Sequence, residues 1–524
     1  MAGIRVAVIG SGVAGLASVK SCLEEGLEPV CFEQHDDIGG TFYATDEFRP
    51  GQGARAYDSL ILNTNKGITC FSDFPFPDDA PPYPTGQDMY QYLKNYAENF
   101  GLEKYIQFNT KVHNITRSSN YETTGSWDIE TEVNGDRKWS TFAAVLVCTG
   151  VYSKAYTPKI EGVEKFKGTV EHSQTFKSGS KYRNQRILVV GNAHSAGDVA
   201  TDVSRYAKQV YLSVGKGTWI LNRCQGGGVP LDFMLRRIFT MIPLSESISS
   251  KAIVSKANAR LDHVKYKLYS GIPVPRGAVM ISDEIQMRIV CGKVRIAGNL
   301  ARLGTSHAEF DDGSTVSDLD GVIFATGLQR SLPFLDPVVG ASEEKLEWYK
   351  MVFPVHLPHD TLAMIGFIRT LGSLVPIAEL QARLAARVVA KKHKLPTKTV
   401  MLKDIDKWNK SFLRTYGHYR YSFPNIPIRD EIAAELGVRP SLLELLRLGP
   451  TVAFQYYFGP AFNVHHRLTG PGAWDGAIRA CAEAQHGAYA NQIRKVPEIK
   501  TNSNFLRALL ILPVLFGIYL LFAL

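Results

Sequence analysis

The chain has 524 residues, 45% of them apolar and 21% charged, a length and balance that exclude a small binding module and a disordered protein. Its formal net charge is +9, spread along the sequence. This excess suits an anionic cofactor or membrane surface, and without a nucleic-acid-binding motif it argues against a nucleic-acid partner.

The seven cysteines include no C-x-x-C pair and no metal-ligand spacing. An odd, scattered set is typical of reduced thiols that face the cytosol. We therefore predict no metal site and no disulfide reductase.

The chain opens with the complete fingerprint of a dinucleotide-binding βαβ unit. A predicted strand, Ile4–Ile9, runs directly into G-S-G-V-A-G at residues 10–15. A predicted helix, Leu16–Glu25, and a second strand, Glu28–Phe32, follow. In such a turn the glycines allow a tight bend, a close approach to a pyrophosphate and close helix–strand packing. The predicted cofactor contacts are Gly10, Ser11, Gly12, Val13, Ala14 and Gly15.

The second strand ends at Glu33, eighteen residues after Gly15. An acid at this place accepts hydrogen bonds from ribose hydroxyls and repels a 2′-phosphate, so the site should hold FAD or NAD. Residues 37–42, D-I-G-G-T-F, resemble the second glycine-rich segment of two-dinucleotide flavoproteins and favour FAD. Glu33, Gly40, Thr41 and Phe42 are the predicted contacts.

A second strand–turn–helix pattern begins at Arg186–Val190 and continues as G-N-A-H-S-A-G-D at residues 191–198. Two such units in one chain usually mean two dinucleotides. The next strand, Gln209–Ser213, ends without an acid and is followed by Lys216, which favours NADP; the alternative is a solvated surface lysine. The predicted NADP contacts here are Gly191, Ala193, Ser195, Ala196, Gly197, Asp198 and Lys216.

Two further predicted strands, Val145–Gly150 and Val322–Gly327, end in Thr-Gly. They fit a chain that crosses between dinucleotide domains, although each is also compatible with an ordinary strand end. Residues 217–294 interrupt the βαβ order and form an insertion that shapes a substrate channel or merely covers the sheet. Residues 441–490 are helical and apolar in patches, as expected of a region that rests on a bilayer.

The C-terminal tail runs seventeen residues, Ala508–Leu524, without a charge. This is at the short end of a membrane-spanning helix, roughly 17–25 residues, in which Pro513 is tolerated. A buried core helix is the alternative, but the segment offers no polar face to water. We predict a C-terminal transmembrane helix with the catalytic body in the cytosol.

Several motifs together resemble the animal flavin-containing monooxygenases, class B flavoprotein enzymes of the N,N-dimethylaniline monooxygenase type. Besides both glycine turns and the apolar tail, they are F-K-G-T-V-E-H-S-Q-T-F at 166–176, N-T-N-K at 63–66, C-F-S-D-F-P at 70–75, F-A-T-G at 324–327 and P-I-A-E-L-Q at 376–381. The resemblance covers essentially the whole chain. Because the first of these ends in Phe176 rather than tryptophan, the amine- and sulfide-oxygenating branch is favoured over Baeyer–Villiger relatives.

The resemblance implies FAD and NADPH as cofactors, O₂ as cosubstrate, and transfer of oxygen to soft nitrogen or sulfur nucleophiles through a hydroperoxyflavin that bound NADP⁺ shields. It also implies that Asn63 is the active-site asparagine. Asn63 and Thr64 are then further FAD contacts, and Leu62 and Asn63 further NADP contacts. His172 is implied to link domains and position cofactor rather than to act as a base.

The chain departs from the family at the second turn, where Ala193, His194 and Ala196 replace Gly, Asn and Gly. Gly215-Lys216 stands where an Arg-Arg pair is usual, and Phe42 where tryptophan is common. These differences predict weaker NADP⁺ retention and some loss of reducing equivalents to H₂O₂.

The expected fold is α/β, with two interleaved Rossmann-like dinucleotide-binding domains and a C-terminal transmembrane helix in the endoplasmic reticulum membrane; a homo-oligomer is possible. The predicted regions are residues 1–155 and 331–440 for FAD, 156–330 for NADP with the insertion at about 217–294, 441–503 near the membrane and 504–524 as the anchor. A Baeyer–Villiger monooxygenase, an uncoupled NADPH oxidase and a membrane-tethered flavin redox sensor stay open as alternatives.

Overall fold

The computed structural model describes residues 3–43, 45, 47–49, 51–242, 246–269, 271–272, 274, 276–335, 347–416 and 422–486. The chain divides into two units, Met1–Tyr489 and Ala490–Leu524, and all of the described residues belong to the first. The predicted anchor at 504–524 lies outside the described residues, as does the end of the predicted membrane-proximal region.

The described strands are numbered β1 to β24 in chain order. They are Arg5–Ile9, Glu28–Phe32, Ile106–Gln107, Lys111–Arg117, Trp127–Val133, Asp136–Phe142, Ala144–Val147, Lys154–Ala155, Thr169–His172, Arg186–Val190, Gln209–Ser213, Trp219–Leu221, Val279–Ile281, Val294–Ala297, Leu300–Leu303, Ala308–Phe310, Thr315–Val316, Gly321–Phe324, Leu328–Gln329, Trp348–Tyr349, Phe353–Pro354, Leu362–Met364, Arg369–Leu371 and Ser422–Pro424.

The described α-helices are likewise numbered α1 to α14. They are Val13–Glu24, Lys66–Thr69, Gly86–Asn99, Tyr121–Thr124, His194–Val203, Arg237–Met241, Glu246–Asn258, Ile285–Val290, Val375–Val389, Lys398–Tyr416, Asn425–Leu436, Leu442–Leu448, Pro450–Phe458 and Ala477–His486.

The first sheet has five parallel strands in the order β22-β7-β1-β2-β3. Its central strand β1 pairs Val8 with Cys31 of β2 on one side and with Leu146 of β7 on the other. Buried apolar side chains fill β1 from Val6 to Ile9 and all of β7 without alternation, as expected of parallel strands that are covered on both faces. Helix α1 packs against α9, and the core of this layer continues into α11.

The second sheet also has five parallel strands, in the order β14-β11-β10-β18-β9. Its strands lie between residues 169 and 324, whereas β22 at Leu362–Met364 returns to the first sheet. The chain therefore leaves the first sheet after β7 and re-enters it after completing the second. The domain boundaries given above stay a prediction.

A three-stranded antiparallel sheet, β4-β5-β6, is attached to the first layer. The turn between β5 and β6 holds Asn134 at φ 52° and Gly135 at φ 93°, the left-handed pair that a tight hairpin requires. Trp127 of β5 is fully buried and donates to Thr361 Oγ1 at 3.0 Å.

The insertion at 217–294 contains the small parallel pair β12-β13 and helices α6, α7 and α8. Toward the end of the described chain, α12 packs on α13 and α13 on α6. Among the described residues no helix combines the length and the apolar character that crossing a bilayer demands.

Candidate dinucleotide and oxygenation site

The turn after β1 has the geometry of a phosphate-binding turn. Gly10 has φ 96°, and a Cβ on Gly15 would lie 1.8 Å from the Gly10 carbonyl oxygen, so both positions require glycine. Helix α1 starts at Val13 with Gly12 as its N-cap, and no side chain caps it. Its first amides are therefore free to bind an anion.

The second glycine-rich segment lies directly against this turn. A Cβ on Gly40 would come within 3.0 Å of Gly12 Cα, and Gly39 N donates to Ser11 O at 3.2 Å. Thr41 O accepts from Ala56 N at 2.7 Å, while Phe42 packs on the core of the first layer. The structure thus brings together the two segments that the sequence assigns to FAD. Backbone atoms line the space between them, and a side chain at Gly12 or Gly40 would fill that space.

Glu33 reaches back to the turn from the end of β2. Its Oε2 accepts from Ser11 N at 2.8 Å and from Ser11 Oγ at 2.9 Å, and its Oε1 accepts from His35 N at 3.0 Å. The carboxylate is buried and still has unused acceptor positions for a ribose hydroxyl.

The second turn repeats this geometry after β10. A Cβ on Gly191 would lie 2.4 Å from Ala325 O, and one on Gly197 would collide with Met280. Helix α5 begins at His194 with Ala193 as an uncapped N-cap at φ −119°. Ala196 is buried, whereas Ala193 and Ser195 are exposed at this helix end.

His194 replaces the family asparagine at the first position of α5. Its Nδ1 accepts from Ile281 N at 3.0 Å, and burial, with a contribution from Arg223, lowers the pKa of the imidazole to about 4. The ring is therefore neutral at physiological pH and carries its proton on Nε2. Nearby, Asn192 Nδ2 donates to Gly217 O at 3.2 Å, which ties the turn holding the exposed Lys216 to the second turn.

Asp198 of α5 forms a contact between the first layer, built on the first sheet, and the second layer, built on the second sheet. It accepts a short hydrogen bond from the hydroxyl of Tyr57, and that ring packs edge-on against Phe176 at a centroid distance of 5.8 Å. Burial raises the pKa of Asp198 to about 6.

The loop of residues 61–65 carries the predicted active-site asparagine. Asn63 Oδ1 accepts from Arg223 Nη2 at 2.9 Å. Leu62 is buried, and Thr64 Oγ1 lies 2.6 Å from Thr69 Oγ1 of α2. The structure therefore places Leu62, Asn63 and Thr64 on one loop that the insertion contacts.

The family model described as "Flavin-binding monooxygenase-like" matches residues 3–523. The chain belongs to this family. It is accordingly an FAD-containing, NADPH-dependent monooxygenase, and the sequence-based recognition of the family is confirmed.

Curated relatives agree over most of the chain. It is 41% identical to "Flavin-containing monooxygenase 5" of Oryctolagus cuniculus over 486 residues, 91% of each chain. It is 36% identical to "Dimethylaniline monooxygenase [N-oxide-forming] 2" of Rattus norvegicus over 485 residues, 91% of this chain and 90% of that one. These relatives do not favour an oxidase or a redox sensor.

Two solved structures show the same fold. The S-allyl-L-cysteine S-oxygenase from Allium sativum has a TM-score of 0.63 at 21% identity and covers 92% of this chain and 98% of its own. An open structure of cyclohexanone monooxygenase has a TM-score of 0.62 at 15% identity and covers 83% and 97%. The mixed α/β flavoprotein monooxygenase fold is thereby confirmed.

The family motifs outside the turns have structural partners. Gln174 Nε2 donates to Gln52 O at 3.0 Å, and His172 Nδ1 accepts from Gln174 N at 3.0 Å, so the segment 166–176 connects the layers. Glu379 lies in a buried network in which Oε2 accepts from Ser72 N at 2.8 Å and Oε1 meets Arg467 Nη2 at 3.3 Å.

Sequence reasoning missed several residues that contact the site, among them Tyr57, Arg223 and Asp232. None lies in a short motif, and each acts across a large separation in sequence. Asp232 is 6% exposed, accepts from Asn65 N at 2.6 Å, and has a pKa that burial raises to about 6.

Proposed function

We propose that this monooxygenase transfers one oxygen atom from O₂ to soft nitrogen or sulfur centres of small molecules. The observation that carries the proposal is the pair of uncapped helix N-termini, α1 and α5, each behind a turn that begins at a glycine which no other residue can replace without strain, Gly10 or Gly191. The substrate class is supported by the printed activities of the relatives, an N-oxide-forming enzyme and an S-oxygenase.

For FAD, the proposal assigns the pyrophosphate to the amides of residues 10–15 and to the cradle that Gly40 closes. Glu33 takes a ribose hydroxyl while it holds Ser11 in place. Bound FAD, once reduced by NADPH, supplies the oxygen-transfer chemistry; the chain orients the reactants and excludes water from them.

For NADP, the proposal assigns the pyrophosphate to the start of α5 and the 2′-phosphate to Lys216. Gly215 has φ 53°, so an arginine at that position would be strained, and Lys216 serves as the cation of this turn. Neutral His194 offers an Nε2 proton beside the same helix end, as an asparagine amide would.

Asn63 is proposed to orient the reacting groups. Because its Oδ1 already accepts from Arg223, its amide nitrogen is the group left to donate. An amide also cannot protonate the oxidant as a carboxylic acid would.

The proposal keeps the sequence-based location: a C-terminal anchor in the endoplasmic reticulum membrane, a cytosolic body and a possible homo-oligomer. The support is the uncharged stretch Ala508–Leu524. Membrane fractionation tests the anchor by comparing the full chain with a chain that ends at residue 503. We expect the full chain in the membrane fraction and the shortened chain in the soluble fraction, and equal distribution of the two would contradict the anchor.

The function is tested with Asn63→Ala, using a tertiary amine, a thioether and a ketone. We expect the variant to oxidise NADPH but to form product per NADPH on the order of a hundredfold to a thousandfold less, the balance appearing as H₂O₂, because a single preorganised donor is worth that much. Asn95→Ala, on the exposed face of α3, is the matched control. Equal product yields from Asn63→Ala and wild type would contradict the assignment. Formation of an ester or lactone from the ketone, without N-oxide or S-oxide from the amine or thioether, would overturn the substrate class.

A further inference from the structure

The loop 61–65 is held by its own layer along one edge. Leu62 N donates to Pro84 O at 2.9 Å and Lys66 N to Pro82 O at 2.9 Å. The carbonyl oxygens of Ile61 and Leu62 instead point to a different part of the chain. Their partner is in the insertion, about 160 residues further along the sequence.

Arg223 bonds this other edge with two of its three guanidinium nitrogens. Nε donates to Leu62 O at 3.0 Å, and Nη2 donates to Ile61 O at 3.0 Å and to Asn63 Oδ1 at 2.9 Å. Nη1 lies 3.2 Å from Asp283 Oδ2, which orients the guanidinium from behind. The planar fork of arginine matches this set of acceptors, and a lysine ammonium does not.

Asp232 holds the other end of the loop. Its Oδ2 accepts from Asn65 N at 2.6 Å, and its Oδ1 is buried without a hydrogen-bond partner. Asn65 in turn caps α2, accepting from Gly67 N at 3.0 Å. Asp232 thus fixes the residue that caps this helix.

The two residues are fixed to one another. Leu231 N donates to Arg223 O at 2.7 Å, and Gln225 N donates to Val229 O at 2.8 Å. The two ends of the segment 223–232 are therefore hydrogen-bonded to each other. Tyr83 Oη donates to the same Arg223 carbonyl at 2.6 Å and anchors this closed segment to the first layer.

We propose that Arg223 and Asp232 are positioning residues that clamp the loop 61–65 at two points and fix the amide of Asn63 with its nitrogen toward the reacting groups. This inference rests on the proposed function, and it gives the insertion a role beyond covering the sheet. It predicts that loosening the clamp uncouples NADPH oxidation from product formation while FAD stays bound.

The test compares the holoenzyme of wild type with Arg223→Lys, Asp232→Ala and Arg236→Lys. Arg236 is the control because it lies just beyond this stretch and, among the described residues, its Nε donates to Phe233 O of its own segment rather than to the loop 61–65. We expect flavin content and the rate of NADPH oxidation within about twofold of wild type for all three. Product per NADPH should fall about threefold to tenfold in Arg223→Lys and Asp232→Ala alone.

A second readout does not depend on the reaction. Hydrogen exchange in the peptide 60–67 should accelerate about tenfold in Arg223→Lys and Asp232→Ala and stay unchanged in Arg236→Lys. Unchanged exchange and coupling in both variants would overturn the clamp. If wild type itself forms no product from amine or thioether, the proposed function fails, and the exchange data still decide the clamp.

Discussion

At the scale of single residues, the methyl group of Ala193 is the clearest difference between the second turn and the usual turn of the family, which has glycine at this position. Ala193 is exposed and has φ −119° and ψ −169°, a conformation open to any residue. The backbone therefore does not require glycine here. What the methyl group changes is the distance at which a pyrophosphate can approach the amides of α5.

Ala193→Gly should consequently lower the KM for NADPH about twofold to tenfold and move NADPH consumption from H₂O₂ toward product. Steady-state kinetics with both products counted measure this. Ala301→Gly, on the exposed side of β15, controls for the loss of a methyl group elsewhere. An unchanged KM and H₂O₂ yield in Ala193→Gly would show that the methyl group does not hinder the cofactor.

At the scale of elements, the pair Tyr57–Asp198 joins a loop of the first layer to α5 of the second. Burial raises the pKa of Asp198 to about 6, and the hydrogen bond from Tyr57 opposes that rise by stabilising the carboxylate. Because the folded pKa lies above the unfolded one, this group favours the folded state at low pH, and that contribution is lost as pH rises through about 6.

Tyr57→Phe removes the donor and raises this pKa further. The substitution should lower the free energy of unfolding more at pH 8, where the carboxylate is charged and has lost its donor, than at pH 5, where it is protonated. The difference between the two losses should be roughly 1.5–3 kcal/mol. Thermal midpoints at the two pH values measure the difference.

Tyr90→Phe is the matched control for this prediction. Tyr90 donates to Asp37, where burial raises the pKa but hydrogen bonds from Tyr90 and Lys94 outweigh it and lower it. Asp37 is ionised at both pH values, so Tyr90→Phe should lose the same amount of stability at pH 5 and at pH 8. Equal losses in Tyr57→Phe as well would contradict the pH dependence.

The elements also show what sequence can predict. Glu28–Phe32, Arg186–Val190 and Gln209–Ser213 are predicted to the residue, because short apolar runs bounded by turns are local signals. Helix α1 begins three residues earlier than predicted, at Val13, since helix formation starts directly behind Gly12. The hairpin at Asn134-Gly135 is absent from the predictions above, although an Asn-Gly pair is a local signal for such a turn.

The site is predictable only in part for the same reason. Both turns follow from glycine spacing, but the contacts of Arg223 with residues 61–63 and of Glu379 with Ser72 and Arg467 depend on the tertiary fold. Such long-range partners leave no periodic or spaced pattern. The roles of the individual site residues stay predictions.

At the scale of the whole molecule, the chain completes the second sheet between two visits to the first. This order brings β7 and β22 together and leaves residues 166–176 and the insertion to contact loops of the first layer. Two dinucleotide turns and one asparagine-bearing loop are thereby assembled from segments throughout the described chain, as a reaction with two cofactors requires.

The most direct test of the account is the fate of labelled oxygen. The holoenzyme is given NADPH, ¹⁸O₂ and a tertiary amine or thioether, and NADPH consumed, ¹⁸O in product and H₂O₂ are counted together. The account predicts one ¹⁸O atom in an N-oxide or S-oxide for each NADPH that is not recovered as H₂O₂. NADPH consumption matched entirely by H₂O₂, with no label in product, would contradict it.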